Sequence, residues 1–361
     1  MQHNIRTGSK IVAEDVERIL LQAEELLRSF RNSKLFITGG TGFFGTWFLH
    51  TLLAAEDKFE LGLELYILSR DPDSFLKKHP YFQNRKRLHF VKGDVRTFEF
   101  PDVQVDSVIH AATEASASLN AEDPGLMLET IISGTKRTLD FAVHSKARKI
   151  LVTSSGGVYS RKPTAMAHIP EDFLEAPDPL NTRSAYGEGK RVSELLASIY
   201  QLKHGIEVKI ARCFGFIGPY FPLDTHYAIG NFIRDALEGR DISIAGDGTA
   251  HRSFMYTADL VEWLLTILQE GESCRPYHVG SDCSISIAKL AETVVSVASE
   301  MEQEFPQLSS KYIKIAKVAE PGQLVERYVP RTALSSDLGL SCRYGLREGI
   351  KRTILWYLEN Q

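Results

Sequence analysis

The sequence predicts an α/β chain built on a doubly wound parallel sheet, with a smaller mixed α/β C-terminal lobe. Three observations carry this reading. Short β-branched apolar runs near 34–38, 64–69, 88–92, 106–111, 149–154 and 207–212 alternate with helical stretches. A turn holding Gly39, Gly42 and Gly45 separates the first run from an amphipathic stretch. At 361 residues and 43% hydrophobic content, the chain can bury a large core and exceeds one simple domain.

Residues 1–33 read as an N-terminal helical extension. Between 13 and 30, Val16, Ile19, Leu20, Ala23, Leu26 and Leu27 recur at helical spacing with acidic residues between them. An acidic polar face suits a cover over the sheet or a subunit neighbour better than a membrane surface, and no chemistry is assigned to it. Residues 34–213 carry the sheet, and right-handed crossovers bring its strand ends to one crevice, where ligands bind in such folds. Residues 214–361 read mainly as the lobe closing over that crevice, through a helix at 229–239, short strands near 242–245 and 277–279, and helices near 257–269 and 286–300. Whether some of these segments return to the sheet domain is left open. The proline-containing loop 163–180 reads as a surface excursion near the crevice.

The glycine turn, Leu35-Phe36-Ile37-Thr38-Gly39-Gly40-Thr41-Gly42-Phe43-Phe44-Gly45, has the chemistry of a dinucleotide site. The first glycine turns tightly, the second lets backbone approach a pyrophosphate, and the third lets helix pack on strand. The helix N-terminus then faces the phosphates. Thr46 follows Gly45 where a P-loop needs lysine, which disfavours nucleotide triphosphate hydrolysis. Downstream, Lys149-Ile150-Leu151-Val152-Thr153-Ser154-Ser155-Gly156-Gly157-Val158-Tyr159 is a strand ending in hydroxyls, and Tyr186-Gly187-Glu188-Gly189-Lys190 opens a helix about thirty residues later. Tyr186 and Lys190 are four apart and project from one face. A phenol near pKa 10 is a poor base at neutral pH, but a neighbouring ammonium and a positive nicotinamide ring favour its phenolate.

Together these elements resemble the extended short-chain dehydrogenase/reductases, specifically the epimerase/dehydratase group acting on nucleotide sugars. The resemblance runs from about 34 to 357 and includes Gly93-Asp94-Val95, His110-Ala111-Ala112, Arg212-Cys213-Phe214-Gly215-Phe216-Ile217-Gly218-Pro219 and the 246–254 segment. It implies a Rossmann-like sheet, Ser155, Tyr186 and Lys190 as catalytic residues, and Lys190 as a partner of the nicotinamide ribose. Gly39, Thr41, Gly42, Phe43, Phe44 and Gly45 are then the pyrophosphate turn, Asp94 and Val95 the adenine pair, and Ala111 and Ala112 the small residues beside the cofactor. It further implies substrate contacts from Asn231, Arg252 and Arg327, the last not separable from Arg331, and a homodimer. His226 and His251 read as loop histidines.

The second strand ends Ile67-Leu68-Ser69-Arg70-Asp71, placing Ser69 where an acid would normally bind the adenosine ribose. Together with Arg70 this favours NADP, with NAD as the alternative should Asp71 bend back to the ribose. Three departures from the family stand out. Gly156 and Gly157 replace the Asp-Glu pair of the dehydratases, and decarboxylases place an acid there too, so elimination loses its proton-transfer group. Gly215 replaces a frequent substrate-binding Asn, which suggests spare pocket volume. Ile131 replaces a helix Asn.

The function expected is therefore 4-epimerisation of an NDP-hexose through a transient ketosugar. An NADPH-dependent ketosugar reductase is the alternative, and a noncatalytic dinucleotide-sensing protein the alternative of another class. A net charge of −4 gives no basic field for nucleic acid. Cys213, Cys274, Cys283 and Cys342 form no metal or disulfide pattern, and no metal is expected. No stretch reads as a leader or membrane span, which makes the expected location cytoplasmic.

Overall fold

The structure, a computed structural model, describes residues 8–113, 117–160, 166–223, 227–308, 312–318 and 325–360. Two helices, α1 (Lys10–Gln22) and α2 (Glu24–Arg28), precede the sheet. Then follow β1 (Lys34–Thr38), α3 (Phe43–Phe59), β2 (Glu64–Ser69), α4 (Pro72–Lys78), β3 (Leu88–Lys92), β4 (Ser107–His110), α5 (Ala117–Glu122), α6 (Pro124–His144), β5 (Lys149–Ser155), α7 (Ala185–His204) and β6 (Glu207–Cys213). The remainder runs β7 (Phe216–Ile217), α8 (Ala228–Leu237), β8 (Ile242–Ile244), β9 (His251–Arg252), β10 (Met255–Tyr256), α9 (Thr257–Glu270), β11 (Pro276–Val279), β12 (Ile285–Ser286), α10 (Ile287–Met301), β13 (Ile313–Ile315), β14 (Arg327–Tyr328), α11 (Ala333–Asp337) and α12 (Leu346–Glu359).

Seven strands form one parallel sheet in the order β11-β6-β5-β4-β1-β2-β3, the doubly wound arrangement expected. Along β1, Leu35 and Ile37 join one core and Phe36 the other, so the strand is apolar on both faces, as a parallel sheet covered by helices requires. One of the segments left open by the sequence does return: Pro276–Val279 completes the main sheet beside β6. The sequence reads a short strand near 277–279, and its distant partner decides which sheet it joins.

The N-terminal segment also differs from expectation. The helix breaks at Ala23, and Leu27 and Phe30 beyond the break are fully buried. It covers helices α3, α9 and α12 rather than the sheet. Asp15, on what the pattern reads as a polar face, is fully buried and accepts hydrogen bonds from the Tyr256 (2.6 Å) and Tyr344 (2.7 Å) hydroxyls, with Arg352 at 2.9 Å. Among the described residues, no helix is long and apolar enough to cross a membrane.

Candidate active site

The C-terminal ends of β1 and β4 meet at the glycine turn. Gly39 has φ +70°, and a Cβ on it would lie 2.6 Å from the Ala111 carbonyl oxygen and 2.7 Å from the Ala112 nitrogen. A Cβ on Gly45 would lie 2.3 Å from the Gly39 oxygen, so α3 packs directly onto the turn. Gly42 is different: its added Cβ would meet only the Gly39 oxygen, at 3.3 Å. That opening faces the first turn of α3, which has no side-chain cap, so its backbone N–H groups can receive an anion. This cradle fits a dinucleotide pyrophosphate. Phe43 and Phe44 point their rings at Phe221 and Phe216, tying the turn to the segment after β6.

At the end of β2, the buried Ser69 hydroxyl lies 3.2 Å from Thr41 Oγ1 and accepts from the Asp71 nitrogen at 3.3 Å. Asp71 caps α4 by accepting from the Ser74 nitrogen at 3.0 Å, which directs its carboxylate to the helix instead of back toward a ribose. Arg70 is exposed. Asp94 accepts from Arg96 N, Nε and Nη2 at 2.9, 2.9 and 3.0 Å. Those bonds, with the nearby Arg70, hold its carboxyl below the usual range. Val95 presses on Gly134 of α6.

Strand β5 delivers Ser155 to the crevice, where its hydroxyl accepts from the Gly157 nitrogen at 3.0 Å. Helix α7 begins at Ala185, and the Tyr186 nitrogen donates to Asn120 Oδ1 at 3.1 Å, which fixes the helix start. Lys190, one turn on, has its Nζ 5.9 Å from the Tyr186 ring centre and donates to the Thr153 carbonyl at 2.7 Å and Thr113 Oγ1 at 2.8 Å. Burial pushes Lys190 down to about 8. Burial also pushes the Tyr186 phenol up, opposed by a hydrogen bond from Ser155.

Burial thus favours the phenol, and the Lys190 ammonium is aimed at Thr153 and Thr113; the phenolate expected from the sequence rested on the nicotinamide charge as well. Three further groups lie close enough to act on Tyr186, namely Tyr227, Tyr328 and Cys213, none of which the sequence reading placed there. Only the missing side chain at Gly156 hinted at a partner from elsewhere. His110 is a neutral core histidine, pushed down to about 3 by burial and bonded to Thr38 and Thr135 hydroxyls.

The departures noted in the sequence now have surroundings. A Cβ on Gly156 would lie 2.5 Å from the Tyr328 hydroxyl and 2.7 Å from the Phe214 ring, so a side chain there would have to displace these two aromatics. One on Gly157 would lie 3.2 Å from the Tyr186 ring and 3.3 Å from Ser155 Oγ. Gly215 offers no spare pocket volume, contrary to expectation, because its Cβ position is 2.4 Å from the Ser253 carbonyl oxygen. Ile131 is buried and packs on Gly189, the residue before Lys190. Asn231 lies half-buried on α8. Arg252 and Arg327 come from adjacent strands, with Arg252 opposite Tyr328 and Arg327 opposite His251. Arg252 donates to Glu326 at 2.8 Å. His226 and part of the 163–180 loop lie outside the described residues.

The model of the NAD dependent epimerase/dehydratase family matches residues 35–280, which spans the glycine turn, Ser155, Tyr186 and Lys190. The chain belongs to this family. As a member of the extended short-chain dehydrogenase/reductases it is similar to nucleotide-sugar enzymes. It is 31% identical over 323 residues to UDP-glucuronic acid decarboxylase 5 of Arabidopsis thaliana, covering 88% of this chain and 87% of the relative. It superposes with a TM-score of 0.76 on UDP-N-acetylglucosamine 4-epimerase from Methanobrevibacter ruminantium M1, at 20% identity over 92% of this chain and 100% of that one. A dTDP-glucose 4,6-dehydratase from Streptomyces venezuelae gives 0.74 at 24% identity, covering 91% and 97%. These structures share the fold of this epimerase/dehydratase family member.

Proposed function

We propose that this family member is a nucleotide-sugar epimerase, acting at C4 of an NDP-hexose. The observation that carries the proposal is the reactive triad of Ser155, Tyr186 and Lys190 beside two glycines that supply no acid, one of which has its side-chain space filled by Tyr328 and Phe214. Dehydration and decarboxylation need a further proton-transfer group next to the oxidised carbon, whereas epimerisation does not. Bound NAD(P) supplies reversible hydride acceptance. Tyr186 takes the hydroxyl proton as the alcohol becomes a ketone and returns it after the ketosugar has turned over. Ser155 holds that oxygen, and Lys190 keeps positive charge beneath the phenol and contacts the nicotinamide ribose. Gly39, Thr41, Gly42, Phe43, Phe44, Gly45, Asp94, Val95, Ala111 and Ala112 form the dinucleotide site in this reading, and Asn231, Arg252 and Arg327 meet the nucleotide of the substrate.

NADP is the favoured cofactor, because Ser69 replaces the ribose-binding acid, Arg70 stands exposed beside it, and Asp71 is engaged with α4. The Streptomyces venezuelae relative is solved with NAD, which remains the alternative. Saturation binding of both cofactors separates them: tighter NADP binding, weakened by Arg70→Ala, is expected, and a clear NAD preference overturns the assignment. Arg70 also favours a second reading, NADPH-dependent reduction of a ketosugar. Incubation with UDP-, CDP-, GDP- and dTDP-sugars, followed by mass spectrometry and NMR, tests both. An isomer of unchanged mass without net cofactor use supports epimerisation. A two-hydrogen gain matched to NADPH loss supports reduction.

A further inference from the structure

The two glycines at 156 and 157 are floored by uncharged groups. Tyr328 and Phe214 occupy the space a side chain at 156 would need, and Tyr186 and Ser155 border 157. The Tyr328 and Phe214 rings lie 4.9 Å apart at 39°, and they share a buried apolar cluster with Val158, Tyr159 and Ile169. The surface next to the reactive hydroxyls is thus made of two phenols, a phenyl ring and a serine. The nearest cation by strand register is Arg252, which faces the same side as Tyr328. Glu326 already neutralises it at 2.8 Å, and in the proposed reading it serves the diphosphate. Lys190 is engaged below with Thr153 and Thr113.

We infer that Tyr328 is a specificity-determining residue that selects a sugar whose substituent beside the reacting carbon is uncharged, a hexose rather than a hexuronate. This rests on the proposed nucleotide-sugar reading and deepens it. The Tyr328 hydroxyl hydrogen-bonds a neutral hydroxyl on that substituent, while Phe214 covers its carbon. A carboxylate placed there would give up water and, among the described residues that border the two glycines, would meet no cation, which is strongly unfavourable. The inference separates this chain from the UDP-glucuronic acid decarboxylase it resembles in sequence, whose named substrate carries such a carboxylate.

The test is calorimetric titration of the full chain, saturated with cofactor, with UDP-glucose, UDP-glucuronate and UDP, and then with GDP-mannose, GDP-mannuronate and GDP. For the base the protein accepts, the hexose should bind about 100-fold tighter than the hexuronate, the scale expected for one unpaired carboxylate. Tyr328→Phe should weaken hexose binding about tenfold and leave the nucleoside diphosphate unchanged, as loss of one hydrogen bond requires. Tyr328→Arg should narrow the hexose preference at least tenfold by supplying a cation. Thermal melts check folding; if Tyr328→Arg does not fold, the Tyr328→Phe comparison decides alone. Equal or tighter hexuronate binding by the wild-type protein, or unaltered hexose binding by Tyr328→Phe, overturns the inference and leaves the nucleotide-sugar reading standing. Failure to bind any of the four sugars overturns the inference, and the nucleotide-sugar reading falls with it only if the CDP- and dTDP-sugars also fail to bind.

Discussion

Lys190 should be held in the site at the expense of stability, and Lys190→Met should reveal it. The ammonium is 3% exposed, and burial lowers it from an ordinary 10.5 to about 8. At ~1.4 kcal/mol per tenfold change in proton affinity, that fall sets ~3 kcal/mol against the charged form at pH 7. Methionine removes this penalty but leaves the Thr153 carbonyl and Thr113 hydroxyl without their donor, a loss of about 1 kcal/mol for each group that stays unmet. The variant should therefore be as stable as the wild type at pH 7, or up to about 2 kcal/mol more stable, while turnover falls at least about 100-fold. The pH dependence has a definite sign. A lysine depressed in the folded state contributes stability that is fully present above 10.5 and lost as pH falls through about 8. Urea melts without added cofactor should thus show the wild type gaining on Lys190→Met between pH 7 and 10. A variant more than about 1 kcal/mol less stable at pH 7, with a difference flat in pH, would refute the reasoning.

Two further substitutions probe the frame. Asp15→Ala leaves two phenols without their acceptor and removes the buried one of three carboxylates beside Arg352, which keeps Glu14 and Glu348, and it should lower stability by about 2–4 kcal/mol in urea melts; a change under about 1 kcal/mol would show that the N-terminal helix is not anchored there. Tyr159→Phe removes the hydroxyl that joins Arg212 (2.6 Å) to His278 (2.6 Å), and should cost about 2 kcal/mol with kcat lowered and KM nearly unchanged; an unaltered melting curve would count against that link.

The sheet was legible because its signals are local. Strands β1, β2, β3, β5 and β6 announce themselves as apolar runs, and the Gly39, Gly42 and Gly45 spacing states the close approaches that the turn then makes. What escaped the sequence depends on contacts between distant residues. Asp15 sits at a helical position that reads as solvated, yet Tyr256, Tyr344 and Arg352 come from far along the chain to enclose it. Gly215 looked like freed pocket volume, but the Ser253 carbonyl fills it. Strand β11 is read near 277–279, but its place in the main sheet is defined by its pairing with β6. Tyr328 carries no motif, and its place over Gly156 follows from the pairing of β14 with β9.

That place is fixed from both sides, which is why a tyrosine so far along the chain can act as part of the reactive surface. Before it, β14 pairs with β9 in register. After it, Ile169 bridges Pro330, and His278 Nδ1 donates to the Arg331 carbonyl at 2.8 Å. His278 can donate there only as a neutral ring with its other nitrogen accepting, and burial holds it neutral by pushing it down to about 3. Its Nε2 then accepts from the Tyr159 hydroxyl, which accepts from Arg212, whose guanidinium grips Glu194 at 2.9 and 2.7 Å. Glu194 lies one turn beyond Lys190 on α7 and also accepts from Ser154, the neighbour of Ser155. Every donor in this chain has an acceptor, so the backbone carrying Tyr328 and the helix carrying Tyr186 and Lys190 are two ends of one satisfied buried network. The distance between the uncharged floor and the reactive phenol is therefore a property of the fold, set by β11 returning to the sheet, and not of a loop free to adjust to each sugar.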